Sequence, residues 1–229
     1  VGPAPVPYVA PLREGDTVPS FALVDQRGHP TQLIANGARE TVVAFFYTRC
    51  ADAHICLLVA AKFAWMQRHL GGTPIRLVLL TLDPAYDRPP VLARYGAAFN
   101  ADPRRWTLAT GNPRALDELA SRLGIDARQA APNVIIHTEA AIVLDARGRV
   151  ARIVEGADWL PDDVLADARE VAGAPADPLR SFGAWLRSGA SALCGSRGSV
   201  LTVGGALAVL LGLLALFGAL ARRAFATSD

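Results

Sequence analysis

Cys50 and Cys56 stand at the end of the apolar run TVVAFFYTR, and His137 follows far downstream in NVIIHTEAAIVLD. Thiolates are soft ligands and good nucleophiles, and imidazole is a borderline ligand. Together they suit either metal binding or dithiol–disulfide chemistry. The run ending in Tyr47 is β-branched and aromatic and reads as a buried strand, whereas LLVAAKFAWMQRHL after Cys56 has helical spacing. The cysteines therefore fall on a strand-to-helix loop. The first turn of that helix offers unpaired N–H groups and the positive end of its dipole, which favour a thiolate. His54, inside the loop CADAHIC, reads as a fourth ligand, a proton donor or, as the favoured reading, an exposed loop histidine. His137 taken with its local sequence alone reads as a histidine satisfied at a strand edge. Met66 sits in the helix as a core residue, His29 and His69 as surface residues, and Cys194 as a structural or incidental thiol.

The elements that must position these residues form an α/β domain over 13–173. The segment EGDTVPSFALVDQRGHPTQL reads as a hairpin about DQRG, followed by strands at Thr41–Tyr47 and IRLVLLTLD. PPVLARYGAAF and PRALDELASRLG have helical spacing, AAIVLDARGRVARIVEG makes a hairpin about Gly148, and PDDVLADAREVAG closes the domain as a helix. Residues 1–12 are a proline-rich extended arm and 174–198 a juxtamembrane linker. The uncharged stretch 199–221 predicts a single C-terminal transmembrane helix, leaving 222–229 as a cytoplasmic tail. Gly204, Ala208 and Gly212 recur every fourth position, which would let another transmembrane helix approach, although such glycines also reflect membrane composition. The start at Val1 fits removal of a secretory signal and a recombinant start equally. The expected arrangement is a single-pass protein of a bacterial cytoplasmic membrane, in contact with lipid, with its soluble domain on the periplasmic or exterior side.

Composition excludes several classes. The net charge is +2, and the basic residues are scattered arginines apart from Lys62, the chain's single lysine, so no basic stripe offers a nucleic-acid surface. Three cysteines are too few to staple a chain of 229 residues, and no CxxCH occurs for covalent haem attachment.

Five phrases, GDTVPSFALVDQRG, FFYTRC, TLDPAYDRPPVLARYG, WTLATG and HTEAAIVLDARGRV, run in order through nearly the whole domain. In them the chain resembles the SCO/SenC copper proteins. The resemblance implies a thioredoxin-like fold in which Cys50, Cys56 and His137 bind one copper ion, as Cu(I) or Cu(II). It also implies a role in assembling the binuclear copper site of cytochrome c oxidase, whose copper-site subunit or precursor would be the partner. Asp83 and Asp87 match the family's acidic pair near the site, where they would orient a ligand or a loop; helix and turn capping is the alternative. The chain departs from the usual pattern in having five residues between its cysteines instead of three. Ala51 and Leu57 stand where prolines are usual, and His54 where a carboxylate is common. Two alternatives stay open beside the metallochaperone reading. One is a thiol-disulfide oxidoreductase with Cys50 and Cys56 as its redox-active pair, which could dispense with His137. The other is a structural accessory subunit of a respiratory membrane complex. FFYTRC does not match the TxxC phrase of a peroxiredoxin.

Overall fold

The computed structural model describes residues 10–34, 40–50 and 56–173. The expected membrane span, its flanking segments, Cys194 and His54 lie outside the described residues, among which no helix is long and apolar enough to cross a membrane.

In chain order the elements are β1 (Ala22–Asp25), β2 (Pro30–Gln32), β3 (Thr41–Phe46), α1 (Cys56–His69), β4 (Arg76–Thr81), α2 (Pro89–Ala98) and β5 (Trp106–Gly111). Then come α3 (Pro113–Arg122), β6 (Ala127–Ala131), β7 (Val134–His137), β8 (Ala140–Leu144), β9 (Val150–Glu155) and α4 (Pro161–Val171). Seven strands form one sheet in the order β2-β1-β5-β4-β3-β8-β9, and β6 with β7 makes a separate two-stranded ribbon. At the centre β3, β4 and β5 run parallel, while β1 and β8 flank them antiparallel.

Strands covered on both faces must be apolar at every position, and TVVAFF is buried throughout. Alternation then sorts its side chains. Val42, Ala44 and Phe46 join Leu77, Leu79, Trp106 and Leu108 in a core with α1, α4 and Leu92 of α2. Val43 and Phe45 face the opposite core, with Val78, Leu80 and the α3 residues Leu116, Leu119 and Ala120. Helices α2, α3 and α4 each begin with proline in the first turn, where its missing N–H costs nothing.

The two hairpin turns repeat one device. The carboxylates of Asp25 and Asp145 each accept from the backbone N–H groups two and four residues on. Gly28 and Gly148 supply the positive φ the turn needs. Both turns were expected from DQRG and DARG. The strand β5 was not, because WTLATG carries little periodic signal, and its place between β4 and β1 comes from pairing with both. The β6–β7 ribbon was also unexpected: ARQAA is small, polar and exposed at every position.

Candidate metal centre

Cys50 follows the C-terminal end of β3, Cys56 opens α1, and His137 ends β7. The fold brings the last two together across 81 residues of sequence, with Cys56 Sγ 4.0 Å from His137 Nε2. The Cys50 and Cys56 side chains are hydrogen-bonded neighbours, the first half-buried and the second buried, and neither is in a disulfide. The Nδ1 of His137 lies 3.0 Å from the Thr138 carbonyl oxygen. A carbonyl can only accept, so Nδ1 carries the proton and Nε2 presents its lone pair to the sulfur. Burial lowers the pKa of His137, which keeps the ring neutral and able to ligate.

Burial first, and the neighbouring Cys50 second, push the Cys56 thiol well above its ordinary range. The helix N-terminus was expected to favour a thiolate there. Desolvation outweighs it because the sulfur is enclosed by core side chains and not by water. The site thus holds a protonated buried Cys56 thiol, the neighbouring Cys50 sulfur and a neutral imidazole. That donor set suits a soft or borderline cation, which would displace the thiol protons. A thiolate and an imidazole ligating one ion at about 2.3 Å and about 2.0 Å can stand up to roughly 4.3 Å apart. The separation of 4.0 Å lies within that reach. Among the described residues no group of three His, Cys, Asp or Glu side chains is already drawn into a finished metal cage.

The acidic pair holds the turn that carries Cys50. Asp87 is fully buried and accepts from the Thr48 backbone N–H at 3.0 Å, from the Thr48 hydroxyl, and from the Thr81 hydroxyl at 2.5 Å. Burial raises its pKa in spite of those bonds. Asp83 binds the Arg49 guanidinium at 2.6 and 3.1 Å. Arg49 in turn donates to Asn133 at the tip of the β6–β7 ribbon, at 2.5 Å, and lies 4.0 Å over the Tyr86 ring. Neither aspartate caps α2, whose N-cap residue is Arg88. Their side chains are bonded to Thr48, Thr81 and Arg49 instead.

Other residues at the site gave no signal of their own in the sequence. The Tyr47 hydroxyl donates to the Ile135 carbonyl at 3.1 Å and accepts from the Ile135 N–H at 3.3 Å, tying the ribbon to the end of β3. Its ring meets His137 edge-on, and burial pushes its pKa up to about 12. The Tyr95 hydroxyl donates to the Cys56 carbonyl at 3.4 Å. Glu139 Oε1 stands 3.4 Å from His137 Nδ1. Tyr47 lies within FFYTRC and Glu139 within HTEAAIVLD, so proximity to a ligand was the one available hint. Met66 is buried in the core as expected, and His69 stacks on Trp65 at the far end of α1.

The family signature SCO1/SenC matches residues 9–173. A protein of Stutzerimonas stutzeri, whose name includes the words copper-binding protein, is 32% identical over 114 residues, 47% of this chain and 52% of its own length. The chain thus spans about half the length of that relative. A SCO1 protein homolog of Bacillus subtilis is 23% identical over 158 residues, covering 66% of this chain and 81% of the homolog. Among solved structures, Bradyrhizobium japonicum ScoI with copper bound superposes with a TM-score of 0.57 at 20% identity, over 68% of this chain and 99% of that one. That likeness shows the thioredoxin-like fold.

Proposed function

The chain belongs to the SCO1/SenC family, and from that premise we propose that it is a metallochaperone that binds copper through Cys50, Cys56 and His137. Its client is the binuclear copper site of cytochrome c oxidase, to which it delivers copper or whose cysteines it prepares. The observation that carries this reading is the approach of His137 Nε2 to Cys56 Sγ, with the other ring nitrogen already committed to a backbone carbonyl. Copper, when bound, supplies an ion that accepts soft thiolate and imidazole donors in either oxidation state. The chain's own residues do the rest. Asp87 and Asp83 fix the turn before Cys50, and Tyr47 fixes the ribbon that brings His137. Exposed Leu57 and Leu58 directly follow Cys56, and exposed Val134 and Ile136 precede His137, which gives a partner apolar surface beside the ligands.

Residues 199–221 anchor the domain in the cytoplasmic membrane in this reading, with the copper site on the periplasmic or exterior side. That topology rests on a stretch free of charge and long enough to span a bilayer. Protease added to intact spheroplasts should digest the domain and spare a small C-terminal membrane fragment; a protected domain would overturn the topology.

Metal analysis of the reduced protein tests the copper assignment. The expected result is about one copper per chain, weakened by alanine at any of the three positions and most by loss of a cysteine, since thiolates supply the soft anionic ligands. Equal copper in wild type and a Cys50→Ala/Cys56→Ala variant would refute it. A second reading, a thiol-disulfide oxidoreductase acting on the client's cysteines, is favoured by the adjacency of the two thiols. Retention of oxidase assembly by His137→Ala would select that reading.

A further inference from the structure

The proposed function makes no use of the cleft beside the ribbon. It holds about 450 Å³ between three walls: the 82–85 turn after β4, α3 through Asp117 and Ser121, and the ribbon through Gln129 and Ile135. A strand packed directly on a helix is fixed by that packing, but a strand that borders open space is fixed only where something reaches it. Two side chains reach this one. Tyr47 holds β7 at Ile135, through both backbone groups of that residue. Arg49 holds the tip at Asn133, and among the described residues no other side chain from outside the ribbon bonds there. Asn133 and His137 lie two residues to either side of Ile135. With Ile135 alone attached, β7 could swing about that point, and a swing of the tip would carry His137 the opposite way.

We propose that Arg49 is a positioning residue: its guanidinium is a strut from the turn of Asp83 to the tip of the ribbon, and it stops the swing that would take His137 away from the sulfurs. This rests on the reading of Cys50, Cys56 and His137 as the ligands of one metal ion. The strut is anchored at its near end. Nε and Nη2 both donate to one Asp83 oxygen, at 3.1 and 2.6 Å, and the guanidinium lies 4.0 Å over the Tyr86 ring. A planar group held at two nitrogens and one face has its remaining nitrogen aimed in a fixed direction, and Nη1 meets Asn133 Oδ1 at 2.5 Å. Lysine would bring the charge to Asp83 but no second donor of fixed direction. Arg49 is also joined to Cys50 by one peptide bond, so the same residue belongs to the turn of one ligand and restrains the strand of another. Without the strut only the fraction of molecules whose ribbon is in place offers the imidazole, and metal affinity falls by that fraction.

The experiment uses the full, reduced chain and the variants Arg49→Met, Arg49→Lys and Asn133→Asp, the last of which keeps the acceptor oxygen. Amide hydrogen exchange across 127–137 is read without metal and set against exchange in β3. Cu(I) affinity is then read by competition with a chromogenic chelator, in each variant and again in a His137→Ala background. Arg49→Met should speed exchange in the ribbon and leave β3 unchanged. Its Cu(I) affinity should fall about 3–10-fold, and with His137 already absent it should fall no further. Arg49→Lys should resemble Arg49→Met, and Asn133→Asp should resemble wild type. Unchanged ribbon exchange in Arg49→Met would overturn the proposal. So would an equal loss of affinity without His137, or full recovery by Arg49→Lys, since either would mean that Arg49 acts on Cys50 through its charge. A wild-type chain that binds no copper would refute the proposed function, and the metal-free exchange would still decide whether the strut exists. If Arg49→Met fails to fold, Asn133→Ala removes only the far end of the strut, and unchanged exchange across 127–137 in that variant overturns the proposal.

Discussion

Cys50 follows a strand buried at every position, on a turn whose backbone and hydroxyl groups are bound by a fully buried carboxylate, whereas His137 ends a ribbon whose first strand is exposed at every position. The cysteine turn takes its order from the core: Asp87 joins Thr48 to Thr81, the last residue of the neighbouring parallel strand. The ribbon belongs to no larger sheet and is joined to the end of β3 through Tyr47 and Arg49. The difference teaches how the proposed three-ligand site would combine a fixed part with a separately attached one. The sulfurs are built into the domain, and the imidazole is carried on an arm, the ribbon, attached through the hydrogen bonds of Tyr47 and Arg49 and the packing of Ile135 against the core. A cation would be held by the first and secured or released by the second.

The strongest way to break this comparison is at Asp87. Replacement by alanine leaves the Thr48 N–H and two threonine hydroxyls without their buried acceptor, and a loss of about 3 kcal/mol is expected, read by chemical denaturation. Asp87→Asn should cost less than half as much, since the amide oxygen still accepts. If Asp87→Ala left the stability unchanged, the turn would be no more firmly built than the ribbon.

Tyr47→Phe removes both hydrogen bonds to Ile135 and little apolar contact. Global stability should fall by only about 1 kcal/mol. Hydrogen exchange at the Ile135 amide should accelerate selectively, with that in β3 unchanged. Acceleration in both would mean that arm and core open together.

Asn133→Ala, at the exposed contact with Arg49, should lower stability by less than about 0.5 kcal/mol and show a small exchange effect confined to 127–137. The comparison would sharpen if this effect added to that of Tyr47→Phe, since two independent tethers would then hold the arm.

The smallest effect lies away from the site, in the paired turns. For Asp25 and Asp145 burial acts to raise the pKa, but hydrogen bonds to the turn N–H groups and the adjacent arginine prevail and lower both. A depressed carboxylate stabilises the fold above its unfolded pKa of about 3.9 and loses that contribution as pH falls through the folded value. Acid titration of an Asp145→Asn variant should therefore show a weaker loss of stability below pH ~4 than wild type, with the ribbon's exchange unaffected.

The legibility of these two regions in the sequence follows the same division. The strand and helix that flank the cysteines announce themselves through local composition, as do the two Asp-x-Arg-Gly turns, because each is determined by a few neighbouring residues. The ribbon does not, because ARQAA buries nothing and so leaves no apolar period to read. His137 taken locally resembles an ordinary strand-end residue; only the wider phrase pointed to it. The contacts of Tyr47 with Ile135 span 88 residues, and those of Arg49 with Asn133 span 84, so no local pattern encodes them. Asp83 and Asp87 were visible as a pair, but their partners Arg49 and Thr48 lie 34 and 39 residues away, so no local pattern names them. Lys62 gave the opposite lesson, since the sole lysine of the chain proved to be buried.

That burial makes Lys62 a chemical gauge. Amine acylation requires the ammonium to lose its proton and meet the reagent, and here the nitrogen is engaged with Ala157 and covered by Trp159. A lysine-specific protease likewise has a single peptide bond to cut in 229 residues, within α1 and closed to it while that helix is packed. Side-chain modification and cleavage at this one point, followed by mass, would therefore report in a single number how often the helix that opens with Cys56 comes away from the sheet.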